Sequence, residues 1–432
     1  MKKIIPAYIL FILLLSQSCS AQKSEHPNIS EKEVARVLKT LSADDMRGRN
    51  ALKPDEIGKA ADFISDEFKK AGLAYFNDGD SYRQSFALSN VVTVGGSLKI
   101  NGAEVSADHY LVSSDQEKVT LKNVPKLFKI SKGDDFFAKY SEVAELKESV
   151  LVQVDESFKP SFKRPQNYLS RGNMSIGKTE IPTVIYVLSN TTINTLELNF
   201  ANHVSTVSMF NIVGVLPGKS KPNEYVVFSG HYDHLGIIKA VGQDSIANGA
   251  DDDASGTTAV IELAKYFAQK NDNERTLIFV AFTAEEIGGY GSQYFSKQLN
   301  PTEVVAMFNI EMIGKESKFG RNNAYITGYE HSDFGKILQK NLVGTDFKFY
   351  PDPYPKQNLF YRSDNATLAR LGVPAHTISS VQIETDKLYH SVKDEFESLN
   401  VGNITEVIKA IAISSKSIVN GEDTPSRVVG IK

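Results

Sequence analysis

Tyr225-Val226-Val227-Phe228-Ser229-Gly230-His231-Tyr232-Asp233-His234 passes without a break from an apolar run into groups that titrate or bind metal. A short continuous apolar run that ends in glycine reads as a strand buried on both faces. Three more runs have the same character: Thr276 to Phe282, Val304 to Ile310 and Ala375 to Ile378. Helical periodicity marks Ala254 to about Gln269, and again Asn403 to about Val419. Strands alternating with helices predict a layered α/β domain around a largely parallel sheet. In such sheets ligands bind beyond the carboxyl ends of the strands. That is where His231, Glu285, Glu286 and Glu311 fall.

Working outward, Val34, Val37, Leu38 and Leu41, then Ile57, Ala60, Ile64 and Phe68, recur at helical spacing, with Lys53 and Pro54 as the break between two helices. From about Asn90 to about Asn211 the chain changes to short alternating runs punctuated by Gly, Asn, Asp and Ser, which predicts a β-rich insert. The expected organisation is a signal over residues 1–21, an N-terminal helical part of the catalytic domain over 29–89, the insert over 90–211 and the main catalytic part over 212–422. In the first segment Lys2 and Lys3 precede an apolar stretch from Ile4 to Leu15 and a small polar region ending at Ala21, the pattern of an export signal. Cys19, the one cysteine, stands where a lipoprotein signal is cleaved and acylated, so attachment to a membrane surface is expected. Leu15 lies one position further upstream than that pattern wants, and cleavage after Ala21 with free secretion is the alternative. Either way the mature chain has no disulfide.

At 432 residues the chain exceeds what a single core usually serves. Hydrophobic residues at 41% and charged residues at 23% place it among soluble globular proteins and exclude a disordered or multi-span chain. Net charge is −4, with Lys and Arg scattered, so a nucleic-acid partner is not indicated.

Five clusters could carry chemistry. On extended backbone His231 and Asp233 point the same way, so Asp233 could accept the second ring proton of a metal-binding His231; a lone histidine after a strand is nevertheless more often structural. Asp251, Asp252 and Asp253 open directly into a helix. One acidic residue suffices as a cap there, and three are explained better by a cation sharing their charge. Glu285 and Glu286 end a buried strand, where adjacent carboxylates repel and resist desolvation. One as a ligand and its neighbour as general base is what metal-assisted hydrolysis needs. Glu311 and His390 complete the set, each weak alone.

Taken in order, SGHYDH at 229–234, GADDDASG at 249–256, AFTAEEIGGYGSQ at 281–293, FNIEMIG at 308–314, SDNATLARLGVPA at 363–375 and LYHSVKD at 388–394 resemble the zinc metallopeptidase family 28 of bacterial leucine aminopeptidases, glutamate carboxypeptidases and glutaminyl cyclases. LSADDMRGR at 41–49 and DEFKKAGL at 66–73 extend the likeness, and ESVLVQVD at 148–155 faintly resembles a protease-associated domain. The resemblance implies a three-layer zinc-exopeptidase fold with a mostly parallel mixed sheet, and an enzyme that removes N-terminal residues from peptide substrates. By position it implies two zinc ions: one held by His231 and Glu311, the other by Glu286 and His390, with Asp252 bridging. Glu285 becomes the general base and Asp233 the partner of His231, while Asp251 and Asp253 receive no role.

Two positions depart from the family pattern: Glu311 replaces the usual Asp, and Asn365 stands where relatives often have His. Glutaminyl cyclases carry a pocket tryptophan, and this chain has none. Carboxypeptidase action would want an arginine pocket, for which Arg362 and Arg370 are the candidates; a non-catalytic binding protein is the rival from another class. His234, His331 and His376 receive no role, His376 being expected to pack or hydrogen-bond. The insert is expected to gate access to the site.

Overall fold

The computed structural model describes residues 27–170, 172–177 and 181–429. The export segment with Cys19 lies outside the described residues. Helix Glu31–Leu41 begins where the Ser30 hydroxyl accepts from the Glu33 N–H at 3.3 Å. Pro54 opens helix Pro54–Ala71, a position whose N–H would be unpaired anyway, and Gly72 closes it in the left-handed conformation at φ 77°. The apolar faces read from the sequence are the faces buried.

The large sheet runs in the spatial order Lys348–Pro351, Asn323–Ile326, Ala375–Ser379, Val304–Ile310, Lys221–His231, Arg275–Phe282, Leu196–Leu216, Arg83–Ile100. Lys221–His231 lies at its heart and pairs in parallel with both neighbours. Val304–Ile310 is also parallel to Ala375–Ser379. Arg275–Phe282 meets Leu196–Leu216 antiparallel, as Asn323–Ile326 meets Ala375–Ser379, so the sheet is mixed with a parallel centre. Alternate residues feed opposite layers: Val226 and Phe228 join one core and Val227 the other, and Leu277 and Phe279 divide likewise from Ile278 and Val280. Phe228 lies 4.9 Å from Phe308, 5.5 Å from Phe279 and, across to helix Gly256–Lys270, 5.4 Å from Phe267, centroid to centroid. Burying each such ring contributes about 1.5–3 kcal/mol.

The β-rich segment contains a second sheet, ordered Tyr110–Ser113, Val184–Leu188, Val150–Val154, Lys126–Ile130, with its own apolar clusters. Helices Phe136–Ala144 and Lys159–Ser170 accompany it. Positions 90 and 211 are not linkers. They lie inside a long antiparallel ribbon, Arg83–Ile100 against Leu196–Leu216, registered from Arg83↔Ile212 to Ile100↔Leu196. Gly96, which reads as turn punctuation, lies within a strand because a Cβ there would collide with the Asn199 carbonyl oxygen. Close approach of two backbones is its reason.

Candidate metal centre

The Lys221–His231 strand ends on a fully buried imidazole. His231 Nδ1 lies 3.1 Å from the Asp233 main-chain carbonyl and 3.8 Å from its carboxylate. The ring proton therefore goes to the Asp233 carbonyl, a correction to the expected carboxylate pairing, because the chain turns once the strand ends. The Asp233 carboxylate instead accepts the N–H groups of Glu285 at 3.1 Å and Glu286 at 3.4 Å, fixing the two glutamates relative to the His231 strand. His231 Nε2 is left facing Asp252 Oδ1 at 3.1 Å.

The acidic triplet divides its labour. Asp253 accepts from the N–H groups of His231, Gly256 and Met312 at 3.0–3.1 Å, lashing three segments together. Asp251 accepts from Gly314 N–H at 2.7 Å and lies 3.2 Å from Lys315 Nζ. Only Asp252 has both oxygens directed at histidines: Oδ1 at His231, Oδ2 at His390 Nε2 (3.3 Å) and His234 Nδ1 (3.8 Å). Three consecutive carboxylates are thus explained by two structural roles and one shared position. Glu286 lies 2.7 Å from His234 Nδ1 and 3.0 Å from His390 Nε2.

Two donor sets share Asp252: His231, Asp252 and Glu311, and His234, Asp252 and Glu286, the ligand atoms of each lying within 4.8 Å of one another. Tetrahedral zinc with bonds near 2.0–2.1 Å separates its ligand atoms by roughly 3.3 Å, which the contacts above approach. His231 Nε2, Glu286 Oε1 and Glu311 Oε2 are buried without aligned hydrogen-bond partners among the described residues. Orphaned donors of this kind need a common partner. The residues fit a pair of divalent cations.

Electrostatics say the same. Burial pushes Glu285 well above the ordinary carboxylate range, Glu311 and Asp364 adding to it against the opposing field of His231. Burial likewise lifts Asp233 and Glu311 to about 7. Burial works against a charged imidazole at His390, yet the contacts with Asp252 and Glu286 raise it to about 10. So dense a set of buried carboxylates would be stabilised by positive charge among them, which divalent cations could supply.

A cavity of about 210 Å³ opens over Asp252, Glu285, Glu286, Glu311 and His390, walled by Met312, Tyr325, Leu359, Val381, Ile383 and Tyr389, with Arg362 also lining it. Arg370 does not line it and sits over the Tyr361 ring. Asn365 is fully buried, donating to the Phe360 and Ala375 carbonyls and accepting from Thr377. It does not line this cavity.

Three residues were not read as part of the site. Arg49 is wholly buried and donates to the carbonyls of Leu41, Tyr232, Asn248 and Gly249 at 2.6–2.8 Å, clamping the loops that carry His231 and Asp252. Asp394 accepts the Asp251 and Asp252 N–H groups at 3.0–3.1 Å, four residues beyond His390. His234 is the third. Its neighbour in the unassigned group, His376, is what the sequence suggested, accepting from Ser332 at 2.7 Å at one nitrogen and donating to the Thr327 carbonyl at 2.8 Å from the other. His331 lies against Phe360, away from the site.

Residues 211–414 match the model of peptidase family M28. Leucine aminopeptidase 1 of Paracoccidioides brasiliensis is 26% identical over 306 residues, 66% of this chain and 76% of that protein. A protein of Pyrenophora teres described as "Probable zinc metalloprotease" is 36% identical over 113 residues, but the match spans 26% of this chain and 23% of that protein. The fold resembles an aminopeptidase from Aneurinibacillus sp. strain AM-1, with TM-score 0.53, 17% identity and coverage of 94% and 97% of the two chains. It also resembles a zinc aminopeptidase from Bacillus subtilis, with TM-score 0.52, 17% identity and coverage of 92% and 96%.

Proposed function

From the premise that residues 211–414 belong to peptidase family M28, we propose that this chain is a zinc-dependent aminopeptidase that releases N-terminal residues from peptides. The observation that carries the reading is the placement of Asp252 between His231 and His390, one carboxylate oxygen facing each, with Glu285, Glu286 and Glu311 beside it on the wall of one cavity. His231, Asp252 and Glu311 would hold one ion, and Glu286, His390 and Asp252 the other. Zinc in these positions supplies Lewis acidity toward a scissile carbonyl and lowers the pKa of water.

The chain's own residues do the rest. Glu285, buried on the cavity wall beside the donor sets, takes a proton from water and returns it to the departing amine. The apolar walls receive the first side chain of the substrate and exclude solvent around the carboxylates. Those carboxylates hold the free amino terminus by charge-assisted hydrogen bonds. Export with acylation at Cys19 completes the proposal and places the enzyme at a membrane surface outside the cytoplasm.

The test is zinc content of the purified protein together with hydrolysis of a panel of aminoacyl chromogenic substrates, before and after chelation. Close to two zinc per chain with chelator-sensitive release of N-terminal residues is the expected result. Zinc without such release points to ring closure of N-terminal Gln or to C-terminal cleavage, and a chain that binds no zinc tightly is a binding protein built on this fold.

A further inference from the structure

The His234 imidazole is fully buried and directed at the metal centre, where the sequence motif assigns it nothing. Both of its ring nitrogens lack aligned hydrogen-bond partners, although Nδ1 lies 2.7 Å from Glu286 Oε1. Glu286 Oε1 is orphaned in the same way. Two atoms that are close, buried and misaligned for a hydrogen bond face a common point rather than each other. His231 Nε2 carries the same signature against Asp252 Oδ1 at 3.1 Å, and His231 is a ligand in the reading above.

The backbone builds this placement deliberately. The His234 N–H donates to the Arg49 carbonyl at 3.1 Å. Its ring lies against Gly249, where a Cβ would run into the imidazole. Gly249 adopts a left-handed φ of 54° and leaves that face open. His390, by contrast, sits on a loop with its side chain 36% exposed.

We propose that His234 is a fourth protein ligand of the Glu286-side zinc, an inference that rests on the two-zinc reading of this site. That ion is then enclosed by Glu286, Asp252, His390 and His234, whereas the other has only His231, Asp252 and Glu311. Zinc sites filled by four protein ligands are structural in type, and three-ligand sites keep a position for water or substrate. The two sites are therefore unequal. The Glu286-side ion is the tightly held one, and the His231-side ion is the exchangeable one.

The experiment compares wild type with His234→Gln by competition against a chromophoric chelator, reading zinc per chain and the affinity of each site. Circular dichroism of the metal-free forms shows whether the variant folds. Loss of an outer partner of a ligand costs about 10–100-fold in affinity, so removal of a true ligand weakens the tight site by more than about 100-fold. X-ray absorption on zinc-loaded wild type, which needs no variant, counts imidazoles: three shared by two ions with His234 bound, two without it. Wild type holding two zinc ions with two imidazoles, or His234→Gln holding both ions as tightly as wild type, overturns the His234 assignment and leaves the parent reading standing. A wild type that binds no zinc overturns both.

Discussion

Glu285 and Glu286 are adjacent in sequence and opposite in duty. Glu286 faces two histidines, while Glu285 lines the cavity with a raised proton affinity. Glu285→Gln should lower kcat by about 10²–10⁴-fold while zinc content and KM stay near wild type; loss of zinc instead would make Glu285 a ligand. His376 makes a separate prediction about stability. Burial holds its pKa at about 4, below the ordinary 6.5, so the unfolded chain takes up a proton that the folded chain refuses. Its contribution is whole above pH 6.5 and is lost as pH falls toward 4, by roughly 3 kcal/mol. Urea midpoints of the metal-free protein across that range should fall more steeply for wild type than for His376→Asn; parallel slopes would show that His376 is not the titrating group. Glu285 and Glu286 stood out because adjacent desolvated carboxylates at a strand end have no cheap structural explanation, whereas Asp252, Glu311 and His390 were placed by the family resemblance; the structure gathers all five around one cavity. His234 was not legible. Two-residue periodicity puts it on the face opposite His231, and only the turn after the strand brings it back.

At the scale of elements, chain breaks and apolar runs were read to within a few residues. The expected strand Val304 to Ile310 is the observed one, Thr276 to Phe282 gains Arg275, and the helix expected from Ala254 begins at Gly256. The helix expected over Asn403 to about Val419 is Val401–Ser414, followed by a separate short helix, Lys416–Val419. The ribbon was harder. Gly95, Gly96 and scattered Asn and Ser suggest turns by local propensity, but pairing along the whole length of two strands overrides them. Arg49 acts at this same scale, joining the end of helix Glu31–Leu41 to the two loops of the centre through four carbonyls. Arg49→Met should destabilise the metal-free fold by about 3 kcal/mol or more, since buried carbonyls lose a charged donor. Arg49→Lys should recover only part, because one ammonium cannot reproduce the guanidinium fork. Chemical denaturation measures both, and an Arg49→Met protein as stable as wild type would remove the clamp from the account.

Across the whole molecule, the second sheet contributes no residue to the cavity wall. The Tyr290 hydroxyl, just beyond the Glu285–Glu286 turn, donates at 3.2 Å to the carbonyl of Met174, which pairs with Asn90 on the ribbon and not with the second sheet. A role in gating therefore concerns long substrates and not the first residue. Asn90 and Ser205 are cross-strand partners, so a two-residue turn can join them and remove the second sheet with its clusters. The shortened enzyme should cleave single-residue chromogenic substrates within a few-fold of wild type and lose discrimination between short and long peptides; unchanged discrimination rejects gating. Acylation at Cys19 is tested by fatty-acid labelling in cells, with incorporation abolished in Cys19→Ala; an unlabelled wild type supports cleavage after Ala21. The division into two sheets was legible in the change of residue pattern near Asn90, but its true joints were not, because the ribbon belongs to both parts.

In the proposed two-zinc site, the shared carboxylate of Asp252 would also couple the two metal positions thermodynamically. An ion in either donor set would orient that carboxylate and withdraw its charge from the other, so occupancy of one position would change affinity at its neighbour. By reciprocity the factor is the same in both directions, whichever position fills first. A chelator that strips the weaker ion then alters the hold on the stronger one by that same factor. Binding isotherms of this protein should refuse description by two independent constants, and replacing Asp252 should remove the interaction term along with much of the affinity.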